Sequence, residues 1–238
     1  IADDDVRYDA SALERVVRLL DEADVVRPQN HFDPCPWHAV WDSARTLLNR
    51  AAGGDFPGTL AVRRAFIAGG YDGDVLFENL ELMRTVVARG GSILTPLDCY
   101  VRRLPPPAGR FWSQRRRQAY DDLAQPARLL AGLLVIPMAA SGVVRRRWGR
   151  LVAAGAASIL IAEWGRARGG GREVFPAAAP LCAPLWLLER GVTDWLAVWD
   201  RAVRGGCRYS GVVIRRAASS VRVPPRHGPP PLIDYLRL

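Results

Sequence analysis

Apolar positions recur at helical spacing along most of the chain, separated by short runs of strand character. Leu13, Val16, Val17 and Leu20 share one face, and Ser11 with Glu14 forms a capping-box pair ahead of them, which predicts a helix of about three turns. Residues 24–29 carry Val25 and Val26 into Pro28 and read as a strand. Pro36 stands where a first helical residue would. Trp37, Val40, Trp41, Ala44 and Leu48 then line one face of a helix that Gly53-Gly54 stops. Residues 59–62 read as a short strand, Gly69-Gly70 as a turn, 78–89 as a helix closed by Gly90-Gly91, and 93–101 as a further strand ended by Pro105-Pro106-Pro107. This alternation predicts an α/β layer, and a polar helix over 111–124 completes it.

The pattern then changes. Residues 127–144 are apolar apart from Arg128, Arg145-Arg146-Arg147 and Arg150 follow, residues 151–162 carry no charge, and 174–188 is a third apolar stretch rich in Pro and Ala. At about 1.5 Å per residue the first stretch reaches just short of a hydrocarbon core of about 30 Å. The second falls well short unless its flanking arginines snorkel. Neither shows a polar face, and Trp148, Trp164, Trp186, Trp195 and Trp199 lie near their ends, as interfacial aromatics do. Membrane-associated helices are therefore expected over 126–204, after an α/β part over 1–125. A basic hairpin (Cys207-Arg208-Tyr209-Ser210-Gly211, then Arg215-Arg216) and a Pro-rich tail are expected over 205–238. A single crossing by 127–144 would put the Arg145–Arg150 loop outside, against the positive-inside tendency, unless the segment is re-entrant near Pro137.

Charge sharpens this division. All 33 basic residues are arginine, against 24 acids, for a net +9 over 238 residues; residues 1–104 carry −4 and 105–238 carry +13. With 49% hydrophobic residues the chain is no disordered polymer. The arginine clusters lack the interleaved aromatics of a nucleic-acid footprint, so an anionic membrane surface, at about 1 kcal/mol per arginine, is the better-matched partner. Cys35, Cys99, Cys182 and Cys207 show no CxxC spacing and suit a reducing compartment, which places the polar half in the cytosol. Ile1 opens the chain as if near the end of a strand. The sequence thus reads as the C-terminal part of a longer polypeptide.

Asp3 and Asp5 follow Ile1-Ala2 where a strand meets a loop, the place where α/β sheets bind ligands. Carboxylates at i and i+2 of an extended segment point the same way, and Mg²⁺ takes one or two carboxylates together with phosphate oxygens. His31, Asp33, Cys35 and His38 are zinc-capable residue types, but Pro34 and Pro36 fix the backbone between them and their spacing matches no closed site. A polar loop entering the Trp37 helix is expected there.

Five motifs occur in one order: Asp3-Asp4-Asp5; Arg27-Pro28-Gln29-Asn30; Pro57-Gly58-Thr59; Glu78-Asn79-Leu80-Glu81-Leu82; and Gln114-Arg115-Arg116-Arg117-Gln118. In this the first 125 residues resemble the inverting glycosyltransferases of family 2, which have the GT-A fold. The resemblance implies a Rossmann-like α/β domain, cut short at its front, where the family holds the nucleoside. It implies that Asp3 and Asp5 bind Mg²⁺ or Mn²⁺ and the diphosphate of a nucleotide-sugar donor, that Gln114 and Arg117 bind the same diphosphate, and that Gly58, Thr59 and Gln118 border the acceptor. Two positions depart from the family. Asn79 holds the place of the general base, leaving Glu78 as the expected proton acceptor with Asn79 orienting the acceptor; Asp74 and Glu81 are the alternatives. Gln118 replaces the aromatic platform of processive synthases, so a single transfer is expected rather than polymerisation. The acceptor implied is a lipid or membrane-proximal molecule, and the location implied is the inner or plasma membrane with the catalytic part facing the cytosol. Against the enzyme stands a degenerate transferase serving as a membrane interaction module. Another metal-dependent phosphotransferase lacks a P-loop or a nucleophile motif.

Overall fold

A computed structural model describes residues 1–55, 58–209 and 212–218. Pro57 of the predicted acceptor segment, Ser210 and Gly211 of the hairpin, and the tail with His227 lie outside the described residues. In chain order the elements are β1 (Val6–Arg7), α1 (Ala10–Leu19), β2 (Val25–Val26), β3 (Gln29–Phe32), α2 (Trp37–Ala51), β4 (Ala61–Val62), α3 (Arg64–Ile67), α4 (Glu78–Ala88), β5 (Ile93–Leu94) and β6 (Tyr100–Arg103). There follow α5 (Ala108–Tyr120), α6 (Pro126–Val144), α7 (Trp148–Ala167), α8 (Gly171–Val174), α9 (Ala183–Val203), β7 (Cys207–Tyr209) and β8 (Val212–Ile214). The chain is mixed α/β, with helix dominant and small mixed sheets.

Two predicted strands each divide in two. β2 pairs with β4 antiparallel and β5 parallel; β6 pairs with β1 antiparallel and β3 parallel. β2 and β3 continue one extended segment, as β5 and β6 continue another, but residues 95–99 of the second face only Arg27 and Pro28 of the first. The surplus residues loop out and Pro28 has no N–H to give, so the ladder breaks. α1 also starts earlier than expected. Its cap is Asp9, whose carboxylate accepts from the Ala12 N–H at 2.7 Å and from the Ser11 hydroxyl at 2.8 Å, so Ser11 lies inside the helix instead of capping it. α4 ends as the Gly90-Gly91 pair predicts: Gly90 has φ +83°, and the Gly91 N–H bonds the Val86 carbonyl at 2.9 Å.

The helices after residue 126 share cores with those before it. Ala44 and Leu47 of α2 are buried with Ala162 of α7 and Ala183 and Trp186 of α9. Gly165 on α7 permits this approach, since a Cβ there would lie 1.9 Å from the Leu47 carbonyl oxygen. Tyr120 of α5 is buried with Ala197 of α9 and Cys207 of the hairpin. Inside this contact Arg50 is wholly buried. It donates to the carbonyls of Gly165, Leu97 and Arg168, to Gln29 Oε1 and to the Tyr100 hydroxyl, at 2.6–3.2 Å, and stacks against the rings of Tyr100 and Phe175. One cation thereby fastens α2, β3, β6 and the end of α7.

α6 is long and apolar enough to cross a membrane, with 19 residues and a mean hydropathy of 1.9; one side of it packs on α9 and few of its residues are fully buried. Leu130, Leu134 and Met138 of α6, Trp148, Val152 and Leu160 of α7, and Trp195 and Trp199 of α9 are exposed. Arg145, Arg146 and Arg147 are exposed at the turn joining α6 and α7, and Arg150 is exposed in the first turn of α7. The other arginine cluster is no surface footprint. Successive residues of a helix point about 100° apart: Arg115 turns inward to Asp42 and Glu189, Arg116 pairs with Asp200, and Arg117 faces a cavity.

Candidate functional site

The cavity, of about 600 Å³, opens between the strand ends, the start of α4 and one face of α5. Its floor is set by pairing of β1 with β6, which places Val6 opposite Arg103 and so brings Arg103 beside the acids preceding Val6. Arg103 Nε donates to Asp5 Oδ2 at 2.8 Å and Nη2 to Asp3 Oδ2 at 3.2 Å. The second oxygen of Asp5 is buried without a hydrogen-bond partner. Partial desolvation raises the Asp3 carboxyl above the ordinary range, Arg103 opposes this and Asp5 reinforces it. Backbone bonds fix both acids: Asp3 N–H to the Gly58 carbonyl at 2.7 Å, and Leu104 N–H to the Asp5 carbonyl at 2.8 Å. Gly58 leaves room for these side chains, because a Cβ would stand 2.5 Å from Asp3 Oδ2 and 3.2 Å from the Arg103 guanidinium carbon and would make them shift.

The facing wall comes from α5, where Gln114, Arg117 and Gln118 lie at i, i+3 and i+4 and share one face. The buried partners of Arg115 hold that face in position: Asp42 at 2.7 Å and Glu189 in a two-bond fork at 2.8 and 2.9 Å. Despite full burial, Arg45 and Arg115 hold Asp42 far below the usual carboxylate range. The first residues of α4, Glu78 and Asn79, line the cavity between these walls.

Of the residues singled out from sequence, Asp3, Asp5, Gly58, Glu78, Asn79, Gln114, Arg117 and Gln118 all line this one cavity. Thr59 does not. It is buried behind the floor, where its hydroxyl donates to the Ile1 carbonyl at 2.9 Å and meets the Tyr8 hydroxyl at 2.8 Å. Of the alternative bases, Glu81 is buried on the inner face of α4 and Asp74 is exposed, and neither reaches the cavity. His38 is consumed by a bond between Nε2 and the Pro106 carbonyl at 2.8 Å, and among the described residues no group of three or more His, Cys, Asp or Glu is placed to hold a metal.

Sequence reasoning missed two members of the site. Arg103 gave no motif; its only signal was an arginine pair ending a strand before the proline run. Asp121, in the turn after α5, lines the cavity with one carboxylate oxygen buried and unbonded. Desolvation outweighs the fields of Arg117 and Arg190 and pushes it up to about 7. The signal for it was spacing, one helical turn beyond Arg117. Asp122 beside it pairs with Arg190 at 2.7 Å and Arg128 at 3.0 Å, which ties the far end of the cavity to α9 and α6. No family model matches the chain, and no curated protein or solved structure does either.

Proposed function

We propose that the chain belongs to a GT-A-type inverting glycosyltransferase that moves one sugar from a nucleotide-diphosphate donor to a lipid or membrane-proximal acceptor. The observation that carries this reading is convergence: motif residues spread from Asp3 to Gln118 line one cavity. The donor set suits a hard divalent ion, because Asp3 and Asp5 converge on one side and an oxygen of Asp5 is buried without a partner. Asp3 and Asp5 would hold Mg²⁺ or Mn²⁺, which supplies charge neutralisation for a departing diphosphate. Arg117 adds a permanent cation with bidentate geometry across the cavity, and Gln114 adds an amide donor beside it. Glu78 takes the proton of the acceptor hydroxyl and Asn79 orients that hydroxyl, since both line the cavity while Asp74 and Glu81 do not. Gln118 offers no aromatic platform, which favours one transfer. α6, lying against the cavity's far end through Arg128, supports a membrane-held acceptor, an inner- or plasma-membrane location and a cytosolic site.

Membranes from cells expressing the protein, given radiolabelled nucleotide sugars, should incorporate label into the lipid extract. Asp3→Ala or Asp5→Ala should abolish incorporation with the helical circular dichroism unchanged. Undiminished transfer in excess EDTA would overturn the metal-dependent reading. A second reading, a membrane interaction module without chemistry, is favoured by Asn79 at the base position; it gains if no nucleotide sugar supports transfer while the protein stays bound to membranes.

A further inference from the structure

Arg103 touches both acids of the Asp3/Asp5 pair, and it belongs to none of the motifs that drew attention to the site. Its fork occupies one oxygen of each carboxylate. Gly58 lies beside both side chains, close to the Asp3 carboxylate and to the guanidinium. A divalent ion seated on the same oxygens would meet that guanidinium at contact distance, where like charges repel. The oxygens that the fork leaves over, Asp3 Oδ1 and Asp5 Oδ1, are two ligands at most, too few to hold Mg²⁺ or Mn²⁺ firmly without phosphate oxygens.

We propose that Arg103 is an exchangeable counter-ion: it keeps free divalent ions off Asp3 and Asp5, and yields the pair only to a metal that arrives with a diphosphate. In the exchange the metal takes the carboxylates and the guanidinium takes phosphate oxygens, a partner its planar fork matches as well as it matches a carboxylate. The side chain is partly exposed on the cavity floor, so it can turn toward a ligand without opening the core. The consequence is selectivity for the loaded donor over the free ion. This inference rests on the transferase reading of the same cavity, and its test separates the two.

The experiment compares the full chain with its Arg103→Gln and Arg103→Lys variants in detergent, using Mn²⁺ alone and then inorganic pyrophosphate at saturating Mn²⁺, followed by Mn²⁺ electron paramagnetic resonance and calorimetry. The expected result is reciprocal. Arg103→Gln binds free Mn²⁺ about tenfold more tightly and the pyrophosphate about tenfold more weakly. Arg103→Lys keeps the weak affinity for free Mn²⁺, because it keeps the charge, and loses part of the pyrophosphate affinity with the fork. If Arg103→Gln weakens both ligands together, Arg103 is a fastener that shapes the acids and the exchange is overturned. If it changes neither, Arg103 has no part in the site. Binding of Mn²⁺ to wild type that Asp3→Ala abolishes would leave the metal reading standing in both cases, whereas no Mn²⁺ binding by any form would overturn the metal reading and the exchange together.

Discussion

Arg50 carries more of the fold than any motif residue does. It is a buried cation with no carboxylate partner among the described residues, and five oxygen acceptors from four parts of the chain take the place of water around it. Burial lowers its affinity for the proton, yet a guanidinium remains charged at any physiological pH. Arg50→Met should cost about 3 kcal/mol or more, because it leaves those acceptors buried and unpaired; urea unfolding monitored by tryptophan fluorescence checks this. Asp121 makes the opposite contribution. Its carboxyl titrates at about 7 when folded and near the ordinary 3.8 when not, so between these values the unfolded chain releases a proton that the folded chain keeps. Stability from this group is complete below about 4, falls as pH rises through that window, and is gone above about 7. Asp121→Asn should therefore leave the melting temperature near wild type at pH 4 and raise it by about 4 °C at pH 8, read by differential scanning fluorimetry. The same variant bears on the proton acceptor: transfer lost in Asp121→Asn and kept in Glu78→Gln would move that role from α4 to the turn after α5.

At the scale of elements, the helices show how one pattern serves two ends. α5 has three adjacent arginines that the sequence groups into a basic cluster, and helical geometry sends each to a different place, two of them into ion pairs with α2 and α9. α6 packs one side on α9 and leaves the rest without protein against it. Apart from Arg128 its large side chains are apolar, Leu130, Leu134 and Met138 among them are exposed, and its length of about 28 Å nearly matches a bilayer core. If α6 is embedded, 1 M salt should leave the protein in the particulate fraction, because salt screens the exposed arginines at 145–150 and not the apolar burial, while detergent should release it. Recovery in the soluble fraction after salt or carbonate would assign the uncovered faces to something other than lipid. The breaks in the two long strand segments belong to this scale as well. Neither is legible in either segment alone, since the mismatch exists only between residues 95–99 and the two residues opposite them.

For the whole molecule, the cores decide how far the two halves are separable. Leu47 and Ala44 are covered by α7 and α9, and Tyr120 by α9 and the hairpin, so a fragment of residues 1–125 would expose both clusters. That fragment should bind a hydrophobic dye and lack a cooperative thermal transition, whereas an autonomous α/β domain would melt cooperatively. The sequence by itself determined the helices with strong periodicity, the glycine stops, the apolar identity of α6 and the residue types that meet in the cavity, because each of these depends on local spacing and side-chain chemistry. It failed where the outcome depends on partners distant along the chain. Thr59 turned away from the cavity to satisfy its hydroxyl under the floor, and Arg103 reached the acids only because β1 pairs with β6 in one register. Asp121 acquired its altered acidity from burial beside Arg117 and Arg190, a property of the enclosure and not of the residue. Tertiary structure alone decided these, since electrostatic and desolvation energies depend on three-dimensional distance, which sequence separation does not encode.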